Sequence, residues 1–223
     1  MPAVGDPAGN GSTVPAGFKI IHVRASDPAR VAAVARLFTA YTDSLGIDLA
    51  YQNYAAELAG LPGKYGPPAG ALLLLVRSRD TQKGEGKEAE HAASAEGQEA
   101  VGCVALRALP DVDVKVDGTT DGSTRRRRRA EMKRLYVDPA ARGHRLGRAL
   151  FAAVLDEARG KGYDEVVLDT LAHMSGARRM YERECFVEME EPYYEVAGGP
   201  GEGEGDGKQQ QHPEGTVFYR LEL

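Results

Sequence analysis

The sequence predicts a single mixed α/β domain with one core, a central sheet of about seven strands and about four flanking helices. Three observations carry this. Short β-favouring apolar runs alternate with stretches of helical periodicity, in the order strand, two helices, three strands, helix, strand, helix, two strands. Within that order, Glu131 to Gly162 reads as a strand feeding a Gly- and Arg-rich turn that opens a helix. Finally, 42% of 223 residues are hydrophobic, enough for a sizeable core, while two cysteines cannot make a disulfide framework.

Residues 1–16 form a polar tail rich in Gly and Pro, expected to be disordered and without the features of a signal peptide. The domain is expected over 17–223. Phe18 to Val23 is the first strand. Asp27-Pro28 then pairs an N-cap with Pro at the first helical position. Val31, Val34, Leu37, Phe38, Tyr41 and Leu45 keep helical spacing until Gly46 closes the helix. A shorter helix covers Tyr51 to Leu58. Ala71 to Val76 and Ala100 to Leu109 are two strands of a hairpin, with Val101, Cys103 and Ala105 expected on one face.

Three stretches lack an apolar pattern and read as polar inserts: about 80–99, 111–129 and 197–215. The second ends in Arg125 to Arg129. Five arginines in a row fit a nucleic-acid or nuclear-localisation patch, but in a chain of net charge -5 they are better read as a solvated loop. The strand Glu131 to Val137 follows, with Glu131, Lys133, Leu135 and Val137 expected on one face. Leu146, Leu150, Val154 and Ala158 then mark a helix, stopped by Gly160 and Gly162. Asp164 to Thr170 is a strand, Met174 to Glu184 a helix, and Phe186 to Tyr194 and Thr216 to Leu221 the closing strands.

The turn Arg142-Gly143-His144-Arg145-Leu146-Gly147-Arg148 is suited to an anion. The first N–H groups of a helix lack internal partners, and the helix dipole adds partial positive charge there. Glycines admit a phosphate to the backbone, and three arginines add formal charge, so phosphate or pyrophosphate is the natural ligand. The turn lacks the Gly-Lys-Ser/Thr of a Walker A loop and the three spaced glycines of a dinucleotide fingerprint.

These residues resemble the GNAT acetyltransferase superfamily. Its phosphate motif is Gln or Arg, two residues, Gly, one residue, then Gly or Ala. Arg142 and Gly147 match the ends, while Arg145 stands at the usual middle Gly. Ala177 to Phe186 resembles the family's Ala-x-x-x-Tyr-x-x-x-Gly-Phe segment, with Cys185 at its Gly and Met174 where many members carry Asn. Leu45-Gly46-Ile47-Asp48 and Leu61-Pro62-Gly63-Lys64-Tyr65 match wording shared by bacterial-type members of unknown substrate.

The resemblance implies a sheet splayed at the strand before Arg142, admitting the pantetheine arm of acetyl-CoA, and direct transfer of the acetyl group to an amine. It implies pyrophosphate held by Arg142, Gly143, His144, Arg145, Leu146, Gly147 and Arg148. The backbone of Leu135 and Val137 would meet pantetheine, and the Arg145 guanidinium would reach round to a phosphate. Tyr181 is nominated as the acid for the leaving thiolate and Glu131 as a base with a raised carboxyl pKa; packing and a strand-edge ion pair are the respective alternatives. Tyr51, Tyr54 and Tyr65 either line the acceptor pocket or pack. Cys185 is expected to be buried.

Scattered histidines and two distant cysteines give no metal-ligand spacing, so no metal is expected. No membrane span is expected either. The expected acceptor is a small-molecule or peptide amine, the expected compartment cytoplasmic with the nucleus open, and a homodimer stays open. The alternative function is a catalytically weak acyl-CoA-binding or partner-binding module, suggested by Arg145 and Cys185.

Overall fold

The computed structural model describes residues 14–46, 54–78, 97–115, 123–193 and 213–223. Tyr51 and most of the tail and of the first and third polar stretches lie outside these residues. The elements are β1 (Phe18–His22), α1 (Pro28–Leu45), α2 (Tyr54–Ala59), β2 (Ala71–Ser78), β3 (Gln98–Ala108), β4 (Val112–Lys115), β5 (Thr124–Arg127), β6 (Arg129–Val137), α3 (Leu146–Gly160), β7 (Glu165–Leu171), α4 (Ser175–Arg183), β8 (Val187–Met189) and β9 (Thr216–Glu222). Seven strands form one sheet in the order β1-β2-β3-β6-β7-β9-β8. All its pairings are antiparallel except β6 with β7. The mixed sheet and four α-helices are those expected from the sequence.

Alternation along β2 explains the layering. Leu73 and Leu75 join a core with Leu150, Phe151 and Val154 of α3, while Leu72 and Leu74 join one with Val34, Leu37 and Phe38 of α1. α1 starts where the sequence indicates: the Asp27 side chain accepts from the Arg30 N–H at 3.0 Å. It ends at Gly46, whose φ of 65° is the left-handed cap that glycine favours.

Two strands depart from simple alternation. In β3 the register shifts opposite Leu75/Val76, so Val101 packs with the α3 side while Cys103 packs with the α1 side. In β6 the register shifts opposite Cys103/Ala105, and Arg134 takes φ 58°. This bulge carries Lys133 and Arg134 to the same side. Leu135 and Val137 therefore pack with Met132 on the α3 side, rather than sharing a face with Glu131.

The arginine run is a second correction, because it is not a loop but largely a strand, exposed over Thr124 to Arg126. β4 and β5 form a separate hairpin. Arg125 pairs with Asp164 at 3.0 Å, Arg126 with Asp111 at 2.9 Å and Arg127 with Glu222 at 2.9 Å. Arg128 donates to the Lys161 carbonyl at 2.7 Å and stacks on Tyr163, and Arg129 donates to the Tyr193 carbonyl at 2.6 Å. The hairpin is thereby tied to the start of β7 and the end of β9, while the Arg125 and Arg126 side chains stay 53% and 76% exposed.

Candidate active site

The site begins where two strands part. β6 and β7 pair only through Arg129↔Glu165, Ala130↔Val166 and Glu131↔Val167. Beyond Glu131 the β6 bulge turns the strand away, and the gap opens into a cavity of about 90 Å³. Tyr41, Lys133, Asp169, Thr170, Met174 and Tyr181 are among the residues lining it. A groove of about 330 Å³ runs on to the turn, along Leu135, Val137, Arg142, Gly143, Arg145 and Gly147. Tyr41, Leu135, Met174 and Ala177 line both, so the two adjoin.

The turn opens α3 as its sequence indicates. Arg145 is the N-cap and Leu146 the first helical residue, with the Ala149 N–H bonded to the Arg145 carbonyl at 3.1 Å. The N–H groups at the start of the helix have no carbonyl one turn earlier to bond. Most nominated cofactor residues line the groove: Leu135, Val137, Arg142, Gly143, Arg145, Leu146 and Gly147. Arg142 donates from Nε to the Val137 carbonyl at 3.1 Å, which pins the turn to the end of β6. Two nominated residues point elsewhere. The His144 ring lies 5.8 Å from Phe18 of β1, and Arg148 pairs with Glu184 at 2.9 Å.

Both departures from the family pattern sit at left-handed backbone. Arg145 has φ 56° and Cys185 φ 66°. These are the conformations that make glycine usual there. Cys185 is exposed, not buried, because it caps α4: its N–H bonds to Glu182 and that of Phe186 to Tyr181. Cys185→Gly is expected to stabilise the protein by about 1 kcal/mol, raising Tm by roughly 2–4 °C. A calorimetric Tm equal to or below wild type would contradict this.

Tyr181 sits where α4 packs on the sheet. Its ring touches Phe151, Phe186 and Tyr219 with centroids 5.8–6.0 Å apart. It is 6% exposed. It lines the cavity, and its hydroxyl makes no hydrogen bond among the described residues. Burial, then the negative potential of Tyr41, Asp169 and Tyr219, pushes its pKa well above the ordinary phenol value. The group is therefore a proton donor held in its protonated form.

Glu131 is a different case. It is 0% exposed, and its carboxylate meets Arg107, Lys133 Nζ at 3.2 Å and the Tyr193 hydroxyl at 2.6 Å. Burial alone pushes the carboxyl up, but Lys133 and Arg107, aided by the hydrogen bonds, bring it down to about 2. The raised pKa expected from sequence is thus corrected: two cations outweigh desolvation. Tyr54 and Tyr65 also prove to be packing residues. Tyr65 donates to Glu57 at 2.8 Å, and Tyr54 lies under Arg134, which itself pairs with Glu57 at 2.9 Å.

Sequence reasoning passed over Tyr41 and Asp169. Tyr41 looked like one more apolar position of α1, yet it lines both spaces and burial drives its pKa up to about 12. Asp169 did carry a signal: it interrupts the run Val166-Val167-Leu168 in a strand otherwise read as buried.

With this geometry in hand, comparison with known proteins is direct. The acetyltransferase (GNAT) family matches residues 72–185. A relative named as an uncharacterised N-acetyltransferase of Schizosaccharomyces pombe is 34% identical over 154 residues, covering 69% of this chain and 74% of that one. The chain belongs to the acetyltransferase (GNAT) family, and is an acyltransferase. Among solved structures, an acetyltransferase from Streptococcus agalactiae aligns with TM-score 0.57 at 19% identity over 93% of this chain and 99% of that one. An acetyltransferase from Salmonella typhimurium, described with its cofactor acetyl-CoA, aligns with TM-score 0.50 at 17% identity over 93% and 94%. These last two are likenesses of fold. No described helix is long and apolar enough to cross a membrane, and no metal-ligand cluster occurs among the described residues.

Proposed function

We propose that the protein transfers the acetyl group of acetyl-CoA directly to an amine of a small-molecule or peptide acceptor. The observation that carries this reading is Tyr181, a buried residue lining the cavity that adjoins the groove, whose hydroxyl has no hydrogen-bond partner among the described residues. The turn fits a pyrophosphate: free helix-start N–H groups, Gly143 at φ 94° with nothing near its Cα face, and Arg145 on the groove wall. Leu135 and Val137 would offer backbone groups to pantetheine beside the β6 bulge. The thioester then lies in the parted sheet, shielded from water.

In this scheme Tyr181 gives its proton to the departing thiolate sulfur. Holding amine and thioester in one cleft supplies much of the remaining acceleration. Arg145 and Cys185 do not favour the alternative of an inert binding module, because both already adopt the backbone that the usual glycines would.

The test is thermal unfolding with and without acetyl-CoA or CoA. At about 100 times Kd the ligand is expected to add roughly 2.7 kcal/mol, or roughly 5–10 °C in Tm. Thiol release that depends on added amine completes the case. No shift at saturating cofactor would reject the reading.

A further inference from the structure

If acetyl transfer occurs here, an acceptor amine needs a partner in the cavity, and Glu131 is not placed to be one. Its carboxylate is fully buried, already meets Arg107, Lys133 and Tyr193, and does not line the cavity. Asp169 shares Lys133 and Tyr193 at longer range, but it is partly exposed and lines the cavity. It lies two residues past Val167, the last β7 residue paired to β6, so it stands on the open lip of the gap. Its side chain is 21% exposed and lines the cavity with Tyr41 and Tyr181.

Its contacts are uneven. The Tyr193 hydroxyl at 3.2 Å and Lys133 Nζ at 3.6 Å both fall on Oδ1. Among the described residues, Oδ2 takes none. Tyr193 lies closer to Glu131, at 2.6 Å, and so does Lys133, at 3.2 Å. Both therefore favour Glu131, and a hydroxyl has only one proton to give. Asp169 thus keeps most of its acceptor capacity. Tyr181, a buried residue, lines the same cavity, and its hydroxyl has no hydrogen-bond partner among the described residues. At about 90 Å³ the cavity has room for an amino group and water beside Asp169.

We infer that Asp169 is the residue that receives the acceptor's amino group, as an ammonium. This deepens the proposed function and rests on it. Oδ2 holds the ammonium as it enters, and one proton passes through the carboxylate to water. The amine nitrogen then forms its bond to the thioester carbonyl carbon, and the C–S bond breaks with its electron pair going to sulfur. The second nitrogen proton passes to Asp169. Tyr181 protonates the sulfur and is restored by the proton Asp169 holds. The sum is an ammonium and a thioester giving an amide, a thiol and one proton.

The experiment uses the full chain saturated with CoA, titrated with n-butylamine and with triglycine (a free amino terminus) and followed by NMR, together with acetyl-CoA turnover of the same two probes. Asp169→Asn keeps the shape and removes the charge. It is expected to weaken binding of the responding probe at least tenfold and lower kcat/KM at least about 100-fold, at the low end of what a positioned base contributes, with the Tm rise on CoA unchanged. If the Asn variant fails to fold, Asp169→Glu moves the carboxylate by one methylene and is expected to cost several-fold in amine affinity only. Equal behaviour of wild type and variant, or no response of wild type to either amine despite a CoA shift, overturns this inference and spares the cofactor site. Loss of the CoA shift in wild type overturns the functional reading itself.

Discussion

Tyr181→Phe is expected to lower kcat by about 100- to 1,000-fold while leaving the fold and the affinity for CoA unchanged. The substitution removes one atom, and that atom has no hydrogen-bond partner among the described residues to lose. The ring contacts with Phe151, Phe186 and Tyr219 all survive, since each is made by the aromatic face or edge. Stability should therefore stay within about 0.5 kcal/mol of wild type, or rise slightly as a buried hydroxyl leaves. A residue kept for packing would give the reverse pattern: turnover retained, with Tm responding only to larger changes such as Tyr181→Ala. Steady-state turnover and Tm on the same preparations separate the two roles. Wild-type turnover in the Phe variant would remove Tyr181 from the chemistry.

Why the place of Tyr181 at the cavity was legible from sequence while other placements were not has a physical basis. Tyr181 lies at a fixed spacing within one helix, next to Phe186, and a local spacing survives into the fold as it stands. The anion turn is legible for the same reason, since strand, turn and helix are contiguous. The bulge in β6 is not local. It is set by pairing with β3, and the left-handed Arg134 carries no glycine to announce it. Without the bulge, alternation assigned Leu135 and Val137 to the wrong face. The raised pKa expected for Glu131 failed for a related reason: besides Lys133, it depends on Arg107, twenty-four positions earlier, and Tyr193, sixty-two positions later. Arg125 to Arg129 misled because composition counts charges, whereas the partners that neutralise them come from β7, β9 and the Asp111 loop. Cys185 was read from its apolar neighbour, although the helix end it occupies leaves it in solvent.

The second large effect is on stability and follows from the same buried carboxylate. Glu131→Ala is expected to cost about 3–5 kcal/mol, because it leaves Arg107 and Lys133 without their shared counter-charge. Glu131→Gln, which keeps the shape, separates charge from packing. The sign of its pH dependence follows from the shift. The carboxyl lies at about 2 in the folded protein against an ordinary 4.5. Its contribution is therefore present above about pH 4.5 and is lost as pH falls through about 2. A shift of that size corresponds to about 3 kcal/mol. Glu57, lowered to about 2 by its hydrogen bond and ion pair with Arg134 despite desolvation, loses its contribution over the same window. Urea unfolding between pH 2 and 7 should show wild-type stability falling steeply below pH 4.5, with the Gln variant less stable at neutral pH and less sensitive to acid. Asp169→Asn is the contrast, since it should lose amine turnover without this acid signature. Were Glu131→Gln to keep wild-type stability at every pH and lose turnover instead, the base would be Glu131, and its three buried contacts would be a resting arrangement that the acceptor displaces.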